Sequence, residues 1–140
     1  MRVLVFVKAT EDSEASVLPS PELIDAMGKY NEELINAGIM VGGDGLKASK
    51  FGKRIAFDGD SRTVSDGPFA ETRELVSGFW IWEVKDMDEA VAWAKRCPNP
   101  MPGPSDLELR PVITMEDFAE VMTEEGAAIH ARNEQLLAGE

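Results

Sequence analysis

The chain has one cysteine and one histidine in 140 residues. A lone cysteine excludes an intramolecular disulfide. Without spaced Cys/His pairs there is no basis for a zinc or iron–sulfur centre, so no cofactor is expected. Basic residues are scarce too: 14 Lys and Arg stand against 26 Asp and Glu, a formal net charge of −12. An acidic body repels phosphate, which argues against direct nucleic-acid binding and against anionic membrane surfaces. Long apolar runs are missing as well. The N-terminal run Val3–Val7 has only five residues between charged neighbours, too few for a signal-peptide core or a membrane span. What these absences leave is one soluble, cytoplasmic domain, and a hydrophobic content of 44% is enough for such a chain to close a core of its own.

The charge that is present is unevenly spread. Residues 113–140 carry one basic and seven acidic groups, half of the total imbalance on a fifth of the chain. This pattern predicts a solvated extension over 114–140, appended to a better balanced domain over 1–113.

Val3-Leu4-Val5-Phe6-Val7 reads as a central strand. The acidic and small residues from Thr10 to Ser16 read as a loop. Ser20 and Pro21 predict a helix start, cap followed by first-turn proline, with Leu23, Met27, Tyr30 and Leu34 on one face and Gly38 ending it. Ile39-Met40-Val41 leads into Gly42-Gly43-Asp44-Gly45. That stretch lacks the Lys-Ser/Thr ending of a phosphate loop, and a bulge or a close backbone approach explains its glycines better. Arg54–Phe57 and Arg62–Ser65 flank a hairpin turn, and Asp66-Gly67-Pro68-Phe69 is a second turn. Phe79–Val84 is the strongest strand signal in the chain. Asp86 and Glu89 predict a capping box for a second helix, whose apolar face is Met87, Ala90, Val91 and Ala94. Prolines at 98, 100, 102 and 104 give a stiff link to a last strand, Leu107–Pro111. Strands alternating with helices that each have one apolar face predict an α+β ferredoxin-like βαββαβ sheet with an inserted hairpin. One sheet face, bearing either Phe79 and Ile81 or Trp80 and Trp82, is left without helices, and the simplest cover is a second copy.

The string Asp66-Gly67-Pro68-Phe69-Ala70-Glu71-Thr72-Arg73-Glu74 is followed by Gly78-Phe79, Asp88-Glu89-Ala90 and Glu108-Leu109-Arg110-Pro111. Together these resemble the DGPF branch of the YCII-related family, from residue 1 to about residue 113. The resemblance implies a ferredoxin-like domain that pairs into a dimeric α/β barrel. It also implies gene neighbourhoods shared with extracytoplasmic-function sigma factors, and hence a transcription-regulator partner. Members of the wider family carry a histidine in the first helix and an Asp-Pro after the second. Aligned on Gly38 and Pro98, these positions hold Met27 and Cys97 here. Acid–base chemistry in this chain would therefore need other residues.

The residues available are Asp66, Glu71 and Arg73 as the catalytic candidates, with Lys8, Glu74 and Arg110 as ligand contacts. Carboxylates beside a guanidinium can separate into an acid and a base or clamp a polar ligand. The structural alternative is that Asp66 bonds only to its own turn and that Glu71, Arg73 and Glu74 form the solvated face of one helical turn. Lys8 and Arg110, at the ends of central strands, either reach the barrel interior to pair with Asp66 or Glu71 or hold the sheet through ion pairs. Two functions stay open on this basis. One is an enzyme or binder of a small polar molecule in a barrel pocket. The other is a regulatory module acting through protein contacts.

Overall fold

Val3, Val5 and Val7 alternate with Leu4, Phe6 and Lys8 along β1 (Arg2–Lys8), and this period of two sorts the whole sheet into two faces. In a computed structural model of the chain, which describes residues 1–139, β1 is a central strand. It pairs antiparallel with β5 (Val76–Glu83) on one side and β6 (Leu107–Pro111) on the other. β2 (Met40–Gly45) adds to β5, giving the order β2-β5-β1-β6. That is the ferredoxin-like sheet the alternation predicts. The hairpin β3 (Lys53–Asp58) and β4 (Ser61–Asp66) is a separate two-stranded sheet, and every one of its residues is exposed.

Two helices lie on the face of Val3, Val5, Val7, Trp80 and Trp82. α2 (Pro21–Asn36) starts where the sequence places it, with Ser20 Oγ accepting the Leu23 N–H at 3.2 Å, and it buries Tyr30 and Leu34. Gly38, at φ 74°, turns the chain out of that helix in the left-handed region. α3 (Met87–Lys95) is capped by Asp86 and buries Ala90. Glu89 does not close the predicted box; its carboxylate accepts the Lys85 N–H, one residue upstream of the cap. Trp93, missing from the predicted face, packs on the core, while Val91 is exposed. The Thr10–Ser16 segment is a further correction. It holds one helical turn, α1 (Glu11–Glu14), because Thr10 and Ser13 cap each other reciprocally.

Leu4 and Phe6 of β1, with Phe79 and Ile81 of β5, line the opposite sheet face, where none of them joins the core cluster. Trp80 and Trp82 belong to the helix face, which settles the choice left open by the sequence. Beyond β6, residues 115–121 form a 3-10 helix and α4 spans Glu124–Leu137; neither buries a residue. Among the described residues, no helix is long and apolar enough to cross a membrane.

Candidate functional site

Of the catalytic candidates, Asp66 and Glu71 line neither of the two cavities described below. Asp66 ends β4 opposite Lys53, whose ammonium bonds its carboxylate at 2.5 Å, and both side chains are about 70% exposed. Arg110 pairs with Glu108 at 3.4 Å rather than with Asp66. Glu71 takes a left-handed backbone, φ 63°, ahead of a 3-10 turn over Thr72–Glu74.

Lys8 is better sheltered. Its ammonium donates to the Glu74 carbonyl at 3.2 Å and stands 3.9 Å from the Glu108 carboxylate. Lys8 and Arg73 share a polar cleft of about 410 Å³ with Thr10, Glu11, Thr72, Ser105 and Asp106. Of the six sequence candidates, the fold thus gathers Lys8, Arg73 and the Glu74 backbone. Asp66 and Arg110 pair elsewhere.

A larger cavity arises from different residues. It has a volume of about 680 Å³ and opens between α2, the end of β2, and the loops over 13–19 and 46–51. Trp80 forms its floor, with Met27 and Asn31 from α2, Met40 from β2, and Phe51 and Met101 from loops. Gly43 brings β2 across this floor. A Cβ there would sit 2.6 Å from the Phe79 carbonyl oxygen and 3.0 Å from Trp80 Cα, so no other residue fits. A bulge between Met40 and Gly42 accompanies the approach. The glycine-rich stretch is therefore a strand shaped around Trp80 and the cavity beside it.

The Asp-Gly-Pro-Phe turn braces the rim of this cavity. Gly67 donates its N–H to the Gly52 carbonyl at 3.0 Å, and a Cβ on it would fall 1.8 Å from the Ser49 carbonyl oxygen. Phe69 donates its N–H to Ser49 Oγ at 3.0 Å, and the Phe69 ring lies under the Arg54 guanidinium at 3.9 Å. Ser49 in turn donates its backbone N–H to Glu14 at 2.8 Å and its hydroxyl to the same carboxylate. One serine thus ties α1, the 46–51 loop and the Asp-Gly-Pro-Phe turn together.

Tyr30 and Cys97 lie on the other side of α2. The Tyr30 hydroxyl donates to the Trp93 carbonyl at 2.7 Å. Burial pushes its phenol well above the usual range, the neighbouring Cys97 and Glu33 add to this, and Arg96 opposes it. Burial also pushes the Cys97 thiol up, to about 11. Of the positions where the wider family's acid–base pair was expected, Met27 lines the cavity with a thioether, and Cys97 lies outside its lining with a thiol whose pKa burial raises.

Residues 1–116 match the model of the YCII-related domain. The chain belongs to the YCII-related family. This YCII-related chain is 41% identical over 49 residues to an uncharacterized protein of Rhizobium meliloti (strain 1021). That match spans 35% of this chain and only 40% of the relative. Among solved structures it is similar to 5-chloro-2-hydroxyhydroquinone dehydrochlorinase from Burkholderia phenoliruptrix AC1100, in complex with 2,5-dihydroxybenzoquinone. Identity there is 18% and the TM-score 0.43, over 83% of this chain and 98% of that one.

Proposed function

We propose that this YCII-related chain binds a small, largely apolar molecule in the cavity over Trp80, and that it does so as a homodimer. The cavity carries the first part. Its volume of about 680 Å³ lies within the ~300–1,000 Å³ of ordinary ligand sites, and Trp80, Phe51, Met27 and Met40 suit a ring. This shifts the expected ligand from polar to mainly apolar. Among the described lining residues the titratable side chains are Asp44 and Lys47, so binding ranks ahead of acid–base catalysis. The helix-free face with Leu4, Phe6 and Ile81 supports the homodimer.

A titration of isotope-labelled protein with the neutral aromatic dye N-phenyl-1-naphthylamine tests the binding site. Amide resonances of Met27, Asn31, Gly43, Lys47 and Ser77 are expected to move. Shifts confined to Leu4, Phe6 and Ile81 would place the dye on the bare sheet and overturn the reading.

A second reading is favoured by one observation, that Lys8 and Arg73 converge on the polar cleft. There they would hold a small anion, and Arg73→Ala would abolish its binding.

A further inference from the structure

The polar side chains on the cavity wall are few, and their hydrogen bonds restrict what the cavity takes. An indole N–H can only donate, so its partner must offer an acceptor. Trp80 Nε1 donates to Asn31 Oδ1 at 2.9 Å, which fixes the orientation of that amide. The two hydrogens on Asn31 Nδ2 are left for the cavity that Asn31 lines. The Ser13 and Ser77 hydroxyls spend their hydrogens on the Thr10 and Val7 carbonyls.

The outer wall adds positive charge. Lys47 lines the cavity, and its ammonium lies 5.3 Å from the centroid of the Phe51 ring. Lys50 approaches the same ring at 5.2 Å. Among the described residues, neither ammonium has a carboxylate within 4.0 Å. Asp44 is the one carboxylate among the described lining residues; it sits at the β2 end of the cavity, in register with Phe79, while Lys47 stands beside Phe51. Glu14, close by, is occupied by Ser49. Lys47 on the lining and Lys50 beside the same Phe51 ring put two cations, without ion-pair partners among the described residues, at one edge of the cavity. This is notable in a chain with a net charge of −12, where most of the surface repels anions.

We infer that the occupant of the cavity over Trp80 is an aromatic anion, its ring against Trp80 and Met27 and its charged oxygens toward Lys47, Lys50 and the Asn31 amide. This inference rests on the binding reading above and names its ligand class. The ring supplies the apolar contact. The anionic group finds donors on the wall and free ammonium groups at the rim.

Two dyes that share a scaffold separate the inference from the reading beneath it. 8-Anilinonaphthalene-1-sulfonate carries a sulfonate, and N-phenyl-1-naphthylamine has none. Titrated into the full chain and followed by amide shifts at Asn31 and Lys47, the sulfonate is expected to bind about tenfold tighter or better. In the double variant Lys47→Gln, Lys50→Gln, whose changes are at exposed positions, the ratio should fall to about one, and added salt should narrow it in the parent chain. Equal affinities in the parent chain, with both dyes shifting the cavity amides, would overturn the inference and leave the cavity reading standing. If neither dye moves those amides, the reading itself fails and the inference with it.

Discussion

Ser49 shows how a single side chain can decide the shape of the site. It accepts from Phe69, donates twice to Glu14, and has Gly67 pressed against its carbonyl. Ser49→Ala removes the hydroxyl from both bonds and leaves the Phe69 N–H unpaired, which should cost about 1–2 kcal/mol in urea denaturation. Gly67→Ala should cost more, about 2 kcal/mol or above, since the new methyl has backbone in its way. Asp66→Asn, by contrast, loses only an exposed pair with Lys53 and should cost well under ~1 kcal/mol. If Asp66→Asn proves as damaging as Gly67→Ala, the brace is not what gives the turn its importance. Cys97 gives a pH signature at the same scale. Its folded-state value, about 11, lies above the ordinary value near 9. Between these the unfolded chain loses a proton that the folded chain keeps, so stability falls as pH rises through that window. Cys97→Ala should flatten the decline, and alkylation of the native thiol by iodoacetamide at pH 8 should run far slower than for a free thiol.

At the scale of elements, what was legible in the sequence is what local chemistry decides. Ser20-Pro21, Gly38 and Asp86 mark helix ends through their own backbone demands, and the structure has the ends there. The valine alternation in β1 and the Asp58–Ser61 turn are equally local. The cavity was not legible, because it is assembled from α2, β2, β5 and three loops whose meeting no spacing announces. Gly43 was the nearest signal, read as a bulge or a close approach without its partner, Trp80. The Asp-Gly-Pro-Phe string drew notice for its carboxylates, whereas its glycine and phenylalanine make the long-range contacts with Ser49. The extension beyond β6 follows from charge alone, and the structure leaves all its apolar side chains, Phe118 and Leu136 included, at least partly exposed. Removing residues 115–140 should therefore leave the sheet and both packed helices folded, with a melting transition within a few degrees of the parent chain. Insoluble or non-cooperative truncated protein would assign the segment to the core.

At the scale of the molecule, the decisive feature is a sheet with helices on one face only. Val3, Val5, Trp80 and Trp82 are nearly or fully buried beneath α2 and α3, and the residues between them point the other way. Leu4, Phe6, Phe79 and Ile81 then form a continuous apolar strip across the two central strands, flanked by Arg2, Glu83, Glu108 and Arg110 at its edges. A second copy meets that strip with an identical one, and a two-fold axis lets each apolar side chain face another while the charged rim stays wet. A partner of other chemistry would have to match the same strip without that built-in complementarity. Light scattering at micromolar concentration should therefore give a mass about twice 15.3 kDa. Leu4→Glu with Ile81→Glu places four carboxylates in the proposed interface of the pair, like charges that repel when desolvated. This double variant should sediment as a monomer while its far-ultraviolet circular dichroism stays that of the parent chain, because neither side chain contributes to the core beneath the helices. A parent chain that is monomeric and soluble across the micromolar range would show that the bare face needs no second copy, and the sheet-to-sheet pairing would have to be given up.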